Sequence, residues 1–249
     1  MLLMDLGNSR AKLAHRHATQ EYVSIANSEL STEAILAACS DFGGVSEVVI
    51  CSVRDKAFND DFVAQLRRND LTVTLLDWSD VEPYLSTIYD SRQSLGLDRQ
   101  LAMLGARYYG QGPALVLDLG TASTIDALDA DGVHLGGVIF PGLTLQREAL
   151  LAGTEDISVK EDVDQVATFP LSTADAVFSG TLQAWRGGVL AIHSSMAAAM
   201  TGKVTTYVTG GQAPLLDVEN NDSIFTELRM VFVPDLVLKG IQFLLERKE

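Results

Sequence analysis

Two short segments of the sequence place an aspartate, a glycine and small polar side chains in the same order. The first, DLGNS, covers residues 5–9, and the second, DLGTA, covers residues 118–122. A glycine lets the backbone approach a ligand without a Cβ atom in the way, and a tight turn can direct several backbone N–H groups at one phosphate. Lys12 would direct a cation at the terminal phosphates, and Asp5 and Asp118 lie at strand ends, where carboxylates commonly hold a metal ion. Together these residues predict phosphate binding with the help of a cation.

Each segment taken alone also fits an ordinary hairpin with an Asp–Gly turn, and that alternative stays open for either copy. The two copies share their context, however, because an apolar strand precedes each one and a strand-like segment follows it, at 11–15 and at 124–128. A glycine-rich turn, TGG at 209–211, follows a further predicted strand, whereas the P-loop, dinucleotide-binding and protein kinase motifs are missing from the sequence. The pattern favours an actin-like arrangement, with one phosphate-binding hairpin in each half and a glycine-rich adenosine turn in the second.

Phosphoryl transfer needs a group that takes the proton of the attacking hydroxyl, and the segment from Tyr89 to Arg99 offers the best candidate. Asp98 follows Gly96 and lies near the first turn of a predicted helix, where the helix dipole favours an ionised carboxylate. We therefore expect Asp98 to be charged at neutral pH, starting from the ordinary aspartate pKa of about 3.9. Arg99 could hold an anionic substrate group, ideally a carboxylate, through two parallel hydrogen bonds. The pattern also leaves open a plain helix N-terminus with an arginine on the surface.

These candidate residues need a scaffold, and the sequence predicts one in which strands and helices alternate. Helices are predicted at 32–39, 59–68, 98–109, 173–200 and 235–246, and a further helix is predicted to end near residue 151. Besides the second strands of the hairpins, strands are predicted at 1–4, 45–51, 71–76, 114–117, 133–139 and 204–208. With the repeated hairpin, this alternation predicts an α/β protein with a duplicated actin-like (ribonuclease H-like) fold, in which two related halves with mixed sheets bind ATP in the cleft between them. We place the boundary in the turn-rich link at 111–113, which gives an N-terminal half of residues 1–111 and a C-terminal half of residues 112–249.

The overall composition narrows the choice of partners. The chain of 249 residues carries a formal net charge of −15, which opposes binding to nucleic acid or to an anionic membrane. A nucleotide bound to so acidic a chain needs a cation and local hydrogen-bond donors. The two cysteines, Cys39 and Cys51, have no C-x-x-C spacing, which argues against a disulfide scaffold or structural zinc and fits a reducing cytoplasm. We expect neither a signal peptide nor a membrane span, because the N-terminal apolar run is short and uncharged and no run approaches roughly 20 residues.

In their order along the chain, the motifs resemble those of the type III pantothenate kinases, actin-fold enzymes that open coenzyme A biosynthesis. The first hairpin of that family reads D-x-G-N-[ST]-x-x-K, matched by residues 5–12, and the second reads D-x-G-T-A-x-T-x-D, matched by residues 118–126. Between them the family carries a tyrosine ahead of G-x-D-R, matched by Tyr89 and residues 96–99. The remaining matches are G-G-x-I-x-P-G at 136–142, Thr173 before a helix that includes Ser179-Gly180, T-G-G at 209–211 and P-D-L-x-x-x-G at 234–240.

The resemblance implies a role for each matched residue. Asp98 would be the general base that takes the proton of the primary hydroxyl of pantothenate, with Arg99 as the partner of the pantothenate carboxylate. The acceptor pocket would be lined by Tyr89, Gly96, Leu97, Asp98, Arg99 and Thr173. ATP would be held by Asp5, Leu6, Gly7, Asn8, Ser9, Arg10, Ala11, Lys12 and Thr121. Asp118 would bind the monovalent cation, potassium or ammonium, that this type of enzyme requires beside Mg²⁺. Members of the family are homodimers with the site near the interface, so Thr173 could reach the site of the other subunit.

Two other functions stay open. Another small-molecule kinase of the same fold, or a phosphatase-like relative, would share the hairpins but would lack the segment from Tyr89 to Arg99. The second is a non-enzymatic regulator, since some members of the family were described as accessory factors for transcription. The acidic charge speaks against direct contact with DNA, and an adaptor would not need an intact set of nucleotide and base residues. Gln100 stands where part of the family has a bulky aromatic residue, so we expect a different local pocket shape.

Overall fold

The first sheet is built by the N-terminal part of the chain. In the computed structural model, which describes residues 1–154, 166–217 and 228–248, this sheet has five strands. They are β1 (Leu2–Leu6), β2 (Arg10–His15), β3 (Val23–Ala26), β4 (Glu47–Ser52) and β5 (Thr72–Leu75). The order across the sheet is β3-β2-β1-β4-β5. Strand β2 is antiparallel to β1 and β3, whereas β4 runs parallel to β1 and β5 parallel to β4, so the sheet is mixed.

The second sheet repeats this topology with later strands. They are β6 (Ala114–Leu119), β7 (Ala122–Leu128), β8 (His134–Pro141), β9 (Thr205–Thr209) and β10 (Met230–Phe232). The order is β8-β7-β6-β9-β10, with β7 antiparallel to β6 and β8, β9 parallel to β6, and β10 parallel to β9. Each strand therefore has a counterpart of the same direction and position in the first sheet. The duplication that the repeated hairpins predict is confirmed.

Helices connect the strands and cover the sheets. In the described residues they are α1 (Thr32–Asp41), α2 (Lys56–Arg68), α3 (Trp78–Val81), α4 (Leu97–Tyr109), α5 (Leu143–Ala152), α6 (Thr173–Ala199) and α7 (Leu236–Lys248). Ser31, Asp55 and Ser172 cap α1, α2 and α6, because each side chain accepts a hydrogen bond from a backbone N–H of the first turn. Helix α4 begins after Gly96 without a side-chain cap. Within the described ranges, no helix combines the length and apolar character that a membrane span requires.

A central apolar cluster joins the two sheets through α4 and α7, which pack against each other. It contains Leu3 of β1 and Val116 of β6, together with Leu101 of α4 and Leu236 and Ile241 of α7, all of them buried. Burying one such leucine side chain stabilises the fold by about 1.5–3 kcal/mol relative to leaving it in water. Helix α4 is thus fixed along one face against both sheets. The first turn of this helix, where Asp98 lies, is consequently held at a defined position.

Candidate active site

The turns of the two repeated hairpins meet in the folded chain. The first turn joins β1 to β2 and the second joins β6 to β7. In each, a glycine N–H, of Gly7 or of Gly120, donates to a backbone carbonyl of the same turn, at 3.0 and 3.1 Å respectively. Ser9 Oγ of the first turn lies 2.7 Å from Thr121 Oγ1 of the second, at an exposed position. The two predicted phosphate-binding turns are therefore direct neighbours, and a ligand from solvent can reach both.

Two carboxylates and one ammonium group lie at the bases of these hairpins. Asp5 of β1 pairs in register with Lys12 of β2, and Asp118 occupies the matching position on β6. Burial raises the pKa of Asp5 to about 7 and the pKa of Asp118 to about 6, while the nearby Lys12 charge opposes both shifts. Lys12 Nζ donates a hydrogen bond to Pro234 O at 2.7 Å, which fixes the ammonium against the chain ahead of α7. Because both aspartates keep some solvent exposure, a cation can approach them.

Asp98 lies in the first turn of α4, as the sequence predicts. Burial raises the pKa of Asp98 above its ordinary value, and the Arg99 backbone N–H, which donates to Asp98 Oδ1 at 2.8 Å, opposes this shift only in part. Loss of hydration is thus the largest influence on this carboxyl group, and the charged state of Asp98 at neutral pH stays a prediction. A Cβ atom at Gly96 would lie 2.6 Å from Asp98 Oδ1, so glycine leaves the room that this carboxylate needs.

The three aspartates are close enough to influence one another. The charge of Asp98 raises the pKa values of both Asp5 and Asp118, although burial is the larger cause in each case. Like charges act on each other in this way only within a short distance. The structure therefore brings the predicted base into one group with the predicted ATP-binding and cation-binding carboxylates, which come from three different parts of the sequence.

The Arg99 side chain is bound to the second sheet. Its guanidinium is 6% exposed and is bound by Asp126 of β7, with Nε 2.9 Å from Oδ2 and Nη2 2.5 Å from Oδ1. Nη2 also lies 3.5 Å from Tyr89 Oη, so the tyrosine and the arginine are neighbours, as predicted. The sequence predicts that Arg99 binds a substrate carboxylate through two parallel hydrogen bonds. Two of its three nitrogens are already paired inside the protein, so this arrangement leaves only Nη1 for a substrate.

Thr173 is the one predicted pocket residue that comes from the second half of the chain. It is the first residue of α6 and lines a groove between α5 and α6. Phe169 and Leu171 precede it with 85% and 99% of their surfaces exposed. The assignment of Thr173 to the acceptor pocket stays a prediction.

The glycine-rich turn after β9 is attached to the second hairpin by Gln212, a residue that the sequence interpretation missed. Its backbone N–H donates to Leu119 O at 2.8 Å. Its side-chain Oε1 accepts a hydrogen bond from the Leu143 N–H at 2.8 Å, and its Nε2 donates to Thr144 Oγ1 at 3.0 Å. Gln212 thereby ties the predicted adenosine turn to the end of β6 and to the start of α5. Its place directly after T-G-G was the signal that could have identified it.

The amino-acid sequence matches one known family over most of its length. A sequence model of type III pantothenate kinase matches residues 1–195. The chain belongs to the type III pantothenate kinase family. A type III pantothenate kinase from Thiobacillus denitrificans is 31% identical over 245 residues, which cover 97% of this chain and 94% of the relative. Another, from Ectopseudomonas mendocina, is 37% identical over 197 residues, or 77% of each chain.

Solved structures share the fold of this family member. A protein from Campylobacter jejuni, described as a Baf family transcriptional activator, superposes with a TM-score of 0.63 at 23% identity, covering 100% of this chain and 98% of the other. A protein from Sinorhizobium meliloti, described as a 2-dehydro-3-deoxygalactonokinase, gives a TM-score of 0.55 at 13% identity over 99% and 98% of the two chains. At such identities the likeness shows the fold alone. The predicted actin-like fold with two related halves is confirmed.

In this type III pantothenate kinase family member, two buried residues beside the acceptor segment were not identified from the sequence. Asp126 is 1% exposed and His134 is fully buried, and they are hydrogen-bonded to each other. Asp126 is the last residue of the second hairpin motif, so a signal was present in the D-x-G-T-A-x-T-x-D pattern. His134 has no comparable signal, because a single histidine at the start of a strand fits ordinary packing.

Proposed function

We propose that this family member transfers the γ-phosphoryl group of ATP to pantothenate, the first step of coenzyme A biosynthesis. The observation that carries the proposal is the contact between the two hairpin turns, where Ser9 Oγ lies 2.7 Å from Thr121 Oγ1, with Asp98 near enough for its charge to raise the pKa values of Asp5 and Asp118. A base beside two phosphate-binding turns is the arrangement that transfer of a phosphoryl group to an alcohol requires. The relatives that bear the name type III pantothenate kinase support the choice of pantothenate as the acceptor.

ATP would bind in the cleft between the halves at 1–111 and 112–249, across the two hairpin turns. Backbone N–H groups of the turns, the hydroxyls of Ser9 and Thr121, and the Lys12 ammonium are the donors for its phosphates. The first turn would contribute its whole length, residues 5–12, and the turn at 209–211 would face the adenosine. Because the protein carries a net charge of −15, a bound Mg²⁺ would be needed to offset the phosphate charges. Asp5, with a carboxylate pKa raised to about 7, is a group whose ionisation a cation would favour.

The chemical step would use Asp98 as the general base. The primary hydroxyl oxygen of pantothenate attacks the γ-phosphorus, and the bond from that phosphorus to the β–γ bridging oxygen breaks, so that ADP leaves. The hydroxyl proton passes to the Asp98 carboxylate. Burial raises the pKa of Asp98, which makes this carboxylate a better proton acceptor than an exposed aspartate. The products are 4'-phosphopantothenate and ADP, with the proton held on Asp98 until it is lost to solvent.

A monovalent cation, potassium or ammonium, would be held by Asp118. Burial raises the pKa of the Asp118 carboxylate to about 6, and a bound cation would lower it by stabilising the ionised form. In the described parts of the chain, no group of three or more His, Cys, Asp or Glu side chains is placed to hold a metal ion. Other ligands would have to be backbone, water or phosphate oxygens, and the cation would supply positive charge beside the phosphates.

The acceptor pocket would be formed by Tyr89, Arg99 and the start of α4 at residues 96–98. Tyr89 and Leu97 are half-buried side chains that pack on the central cluster, so the pocket has an apolar floor beside Asp98. Arg99 would offer only Nη1 to the substrate carboxylate, since Asp126 holds Nε and Nη2. Tyr89 Oη would be the second polar group that faces the substrate.

We also propose that the protein is a homodimer in which Thr173 completes the pocket of the other subunit. The supporting observation is the pair of exposed apolar side chains, Phe169 and Leu171, that lie just before Thr173. Exposed apolar side chains that cluster at one place are typical of protein–protein interfaces.

The enzyme would act in the cytoplasm, because its two cysteines, Cys39 and Cys51, are buried and form no disulfide. Its acidic net charge also supports an enzyme that binds neither nucleic acid nor membrane.

The test of this function is the incubation of the purified protein with ATP, Mg²⁺, K⁺ and pantothenate. ADP release would be followed by a coupled assay, and the product would be identified by mass spectrometry. We expect ADP and 4'-phosphopantothenate in equal amounts. Turnover of a different alcohol with none of pantothenate would instead favour another small-molecule kinase. A protein that binds ATP but turns over no alcohol would favour the regulator.

A further inference from the structure

A buried carboxylate lies behind the acceptor pocket and contacts two elements at once. Asp126 of β7 is 1% exposed, and both of its oxygens are used. Oδ2 accepts a hydrogen bond from Arg99 Nε at 2.9 Å, and Oδ1 accepts one from Arg99 Nη2 at 2.5 Å. Oδ1 also lies 3.0 Å from His134 Nε2. Since a carboxylate can only accept, His134 donates through Nε2.

The histidine extends this network to the tyrosine of the pocket. His134 Nδ1 lies 2.8 Å from Thr87 Oγ1, and the same Thr87 oxygen accepts a hydrogen bond from the Tyr89 backbone N–H at 3.2 Å. These hydrogen bonds are mutually consistent when His134 carries its hydrogen on Nε2 and accepts at Nδ1. The Thr87 hydroxyl then donates to Nδ1, while its oxygen accepts from the Tyr89 N–H. The Tyr89 ring also packs against the imidazole, with 5.1 Å between the ring centroids. Asp126 is therefore linked to Arg99 directly and to Tyr89 through His134 and Thr87.

Backbone hydrogen bonds also connect the segments that carry this network. The His134 N–H donates to Ser86 O at 2.8 Å, and the Ile88 N–H donates to His134 O at 3.1 Å. These bonds join the segment that precedes Tyr89 to the first residue of β8. Gly137, which pairs with Asp126 across β7 and β8, leaves the space that the ion pair fills: a Cβ atom there would lie 2.2 Å from Asp126 Oδ1 and 2.7 Å from Arg99 Nη2.

An ion pair in this position has little value for stability alone. The free-energy cost of removing two charged groups from water offsets much of the electrostatic attraction between them. Apolar side chains of similar volume often stabilise a core equally well. What the pair does provide is geometry, because a bidentate contact fixes the plane of the guanidinium. Arg99 follows the candidate base directly in α4, so any rotation of this guanidinium changes the wall of the acceptor pocket.

We propose that Asp126 and His134 are positioning residues, which hold Arg99 and Tyr89 in place for the acceptor alcohol. They would not touch the substrate themselves. Arg99 would bind it through Nη1, the nitrogen that makes no hydrogen bond within the part of the chain that the structure describes. The inference rests on the proposed function, since it assigns Arg99 and Tyr89 to the pocket. It adds a buried ion pair of the second sheet behind the part of the pocket that residues 89–99 form.

Steady-state kinetics of Asp126→Asn would test the proposal. The substitution keeps the side-chain shape and removes the charge. We expect the KM for the acceptor to rise on the order of 10- to 100-fold, because a misplacement of about 1 Å can cost this much, while the KM for ATP stays unchanged. Asp131→Asn is the matched control, since it removes a carboxylate from the exposed turn that joins β7 to β8.

A second pair of variants keeps the test decisive if Asp126→Asn does not fold. Thr87 is only half-buried, so Thr87→Ser and Thr87→Val should both fold. Serine retains the hydroxyl that joins His134 to the Tyr89 backbone, and valine removes it. We expect Thr87→Val to raise the acceptor KM, whereas Thr87→Ser should keep an acceptor KM close to that of the wild-type protein. Equal acceptor KM values for the two variants, or an acceptor KM that Asp126→Asn leaves unchanged in a folded protein, would overturn the inference.

The outcome also separates this inference from the proposed function. If the wild-type protein phosphorylates pantothenate and Asp126→Asn leaves the acceptor KM unchanged, the function stands and the positioning role is wrong. If the wild-type protein turns over a different alcohol, and Asp126→Asn raises the KM for that alcohol alone, the positioning role stands and pantothenate is wrong. If no alcohol is turned over, both are wrong.

Discussion

Ser9 Oγ and Thr121 Oγ1 lie 2.7 Å apart, within hydrogen-bond distance, although 112 residues separate them along the chain. Each hydroxyl stands at the tip of one copy of the repeated hairpin. Their contact shows that the internal repeat is also a spatial relationship, because equivalent turns of the two sheets face each other. A ligand that binds to both turns would present adjacent hydrogen-bond acceptors to them. The phosphates of a nucleotide are acceptors of this kind.

The contact between the turns leads to a prediction for Thr121→Val. Valine has the shape of threonine but no hydroxyl, so one hydrogen bond to a phosphate would be lost, at a cost of about 0.5–1.5 kcal/mol. We expect the KM for ATP to rise by about 2- to 10-fold on this ground, with little change in the KM for the acceptor. Thr74→Val on the exposed edge strand β5 is the control. A larger effect on the acceptor than on ATP would contradict the assignment.

Asp98→Asn should remove most turnover and leave ATP binding intact. A positioned general base contributes on the order of 10²- to 10⁴-fold to the rate, and asparagine keeps the shape of the side chain without the ability to take a proton. Steady-state kcat and the binding of ATP by calorimetry would be compared with those of Asp90→Asn, an exposed aspartate in the same segment.

The pH profile of the wild-type protein provides a check on the same residue. Burial raises the pKa of Asp98, and only the ionised form can accept the proton. The rate should therefore fall on acidification at a pH above 3.9, the approximate pKa of an ordinary aspartate. A rate that stays flat down to about that pKa would argue that Asp98 is not the base.

Asp5→Asn should stabilise the protein at high pH. Burial raises the Asp5 carboxylate pKa to about 7 in the folded protein, against 3.8 for the ordinary side chain. Between these values the folded state binds more protons than the unfolded state, so the wild-type protein loses stability as pH rises through that window. Asparagine is neutral throughout.

The melting temperatures of Asp5→Asn and the wild-type protein would be measured without nucleotide or K⁺. We expect the gain from Asp5→Asn to be largest near pH 8 and to shrink as the pH falls toward the ordinary pKa of 3.8, below which the wild-type carboxyl group is mostly protonated in both states. Asp131→Asn, in an exposed turn, serves as the control and should show no such trend. A gain that is independent of pH would mean that the charge of Asp5 is not its cause.

Asp118→Asn should abolish the preference for potassium. If Asp118 holds potassium or ammonium as proposed, the wild-type rate should be much higher in KCl than in NaCl. The variant should be slow in both salts and show a rate ratio near one. The measurement is the initial rate of ADP release at constant ionic strength. Equal wild-type rates in the two salts would remove the role proposed for this carboxylate.

Leu171→Asp should convert a dimer into a monomer and lower activity. Leu171 is 99% exposed and lies two residues before Thr173, so a charge there would be unfavourable in an apolar interface. Light scattering after size-exclusion chromatography would give the mass. Leu75→Asp is the control, because Leu75 is 36% exposed on β5 of the first sheet, far from α6 in the sequence. A wild-type protein that is monomeric and fully active would contradict the proposal that Thr173 acts across the interface.

Most of the scaffold was accessible from the sequence, and the elements that were missed share a physical cause. The paired hairpins, α1, α2, α4 and α7 were predicted because glycine turns and apolar periodicity are local signals. The edge strands β3 and β10 were missed because they have four and three residues, most of them exposed or half-buried. Short strands of this kind have no clear alternation of apolar and polar residues, and only their neighbours in the sheet hold them extended.

What the sequence determined by itself was the family, the duplicated actin-like fold and the set of turns that a phosphate would need. These depend on residue types at fixed spacing, since a turn requires its glycine wherever the rest of the chain goes. Only the tertiary structure decided that burial raises the pKa of Asp98, that Arg99 is already paired with Asp126, and that Thr173 lines a groove between α5 and α6. Hydration and ion pairing depend on which distant residues come to surround a side chain, and that information exists only once the two sheets have packed against α4 and α7.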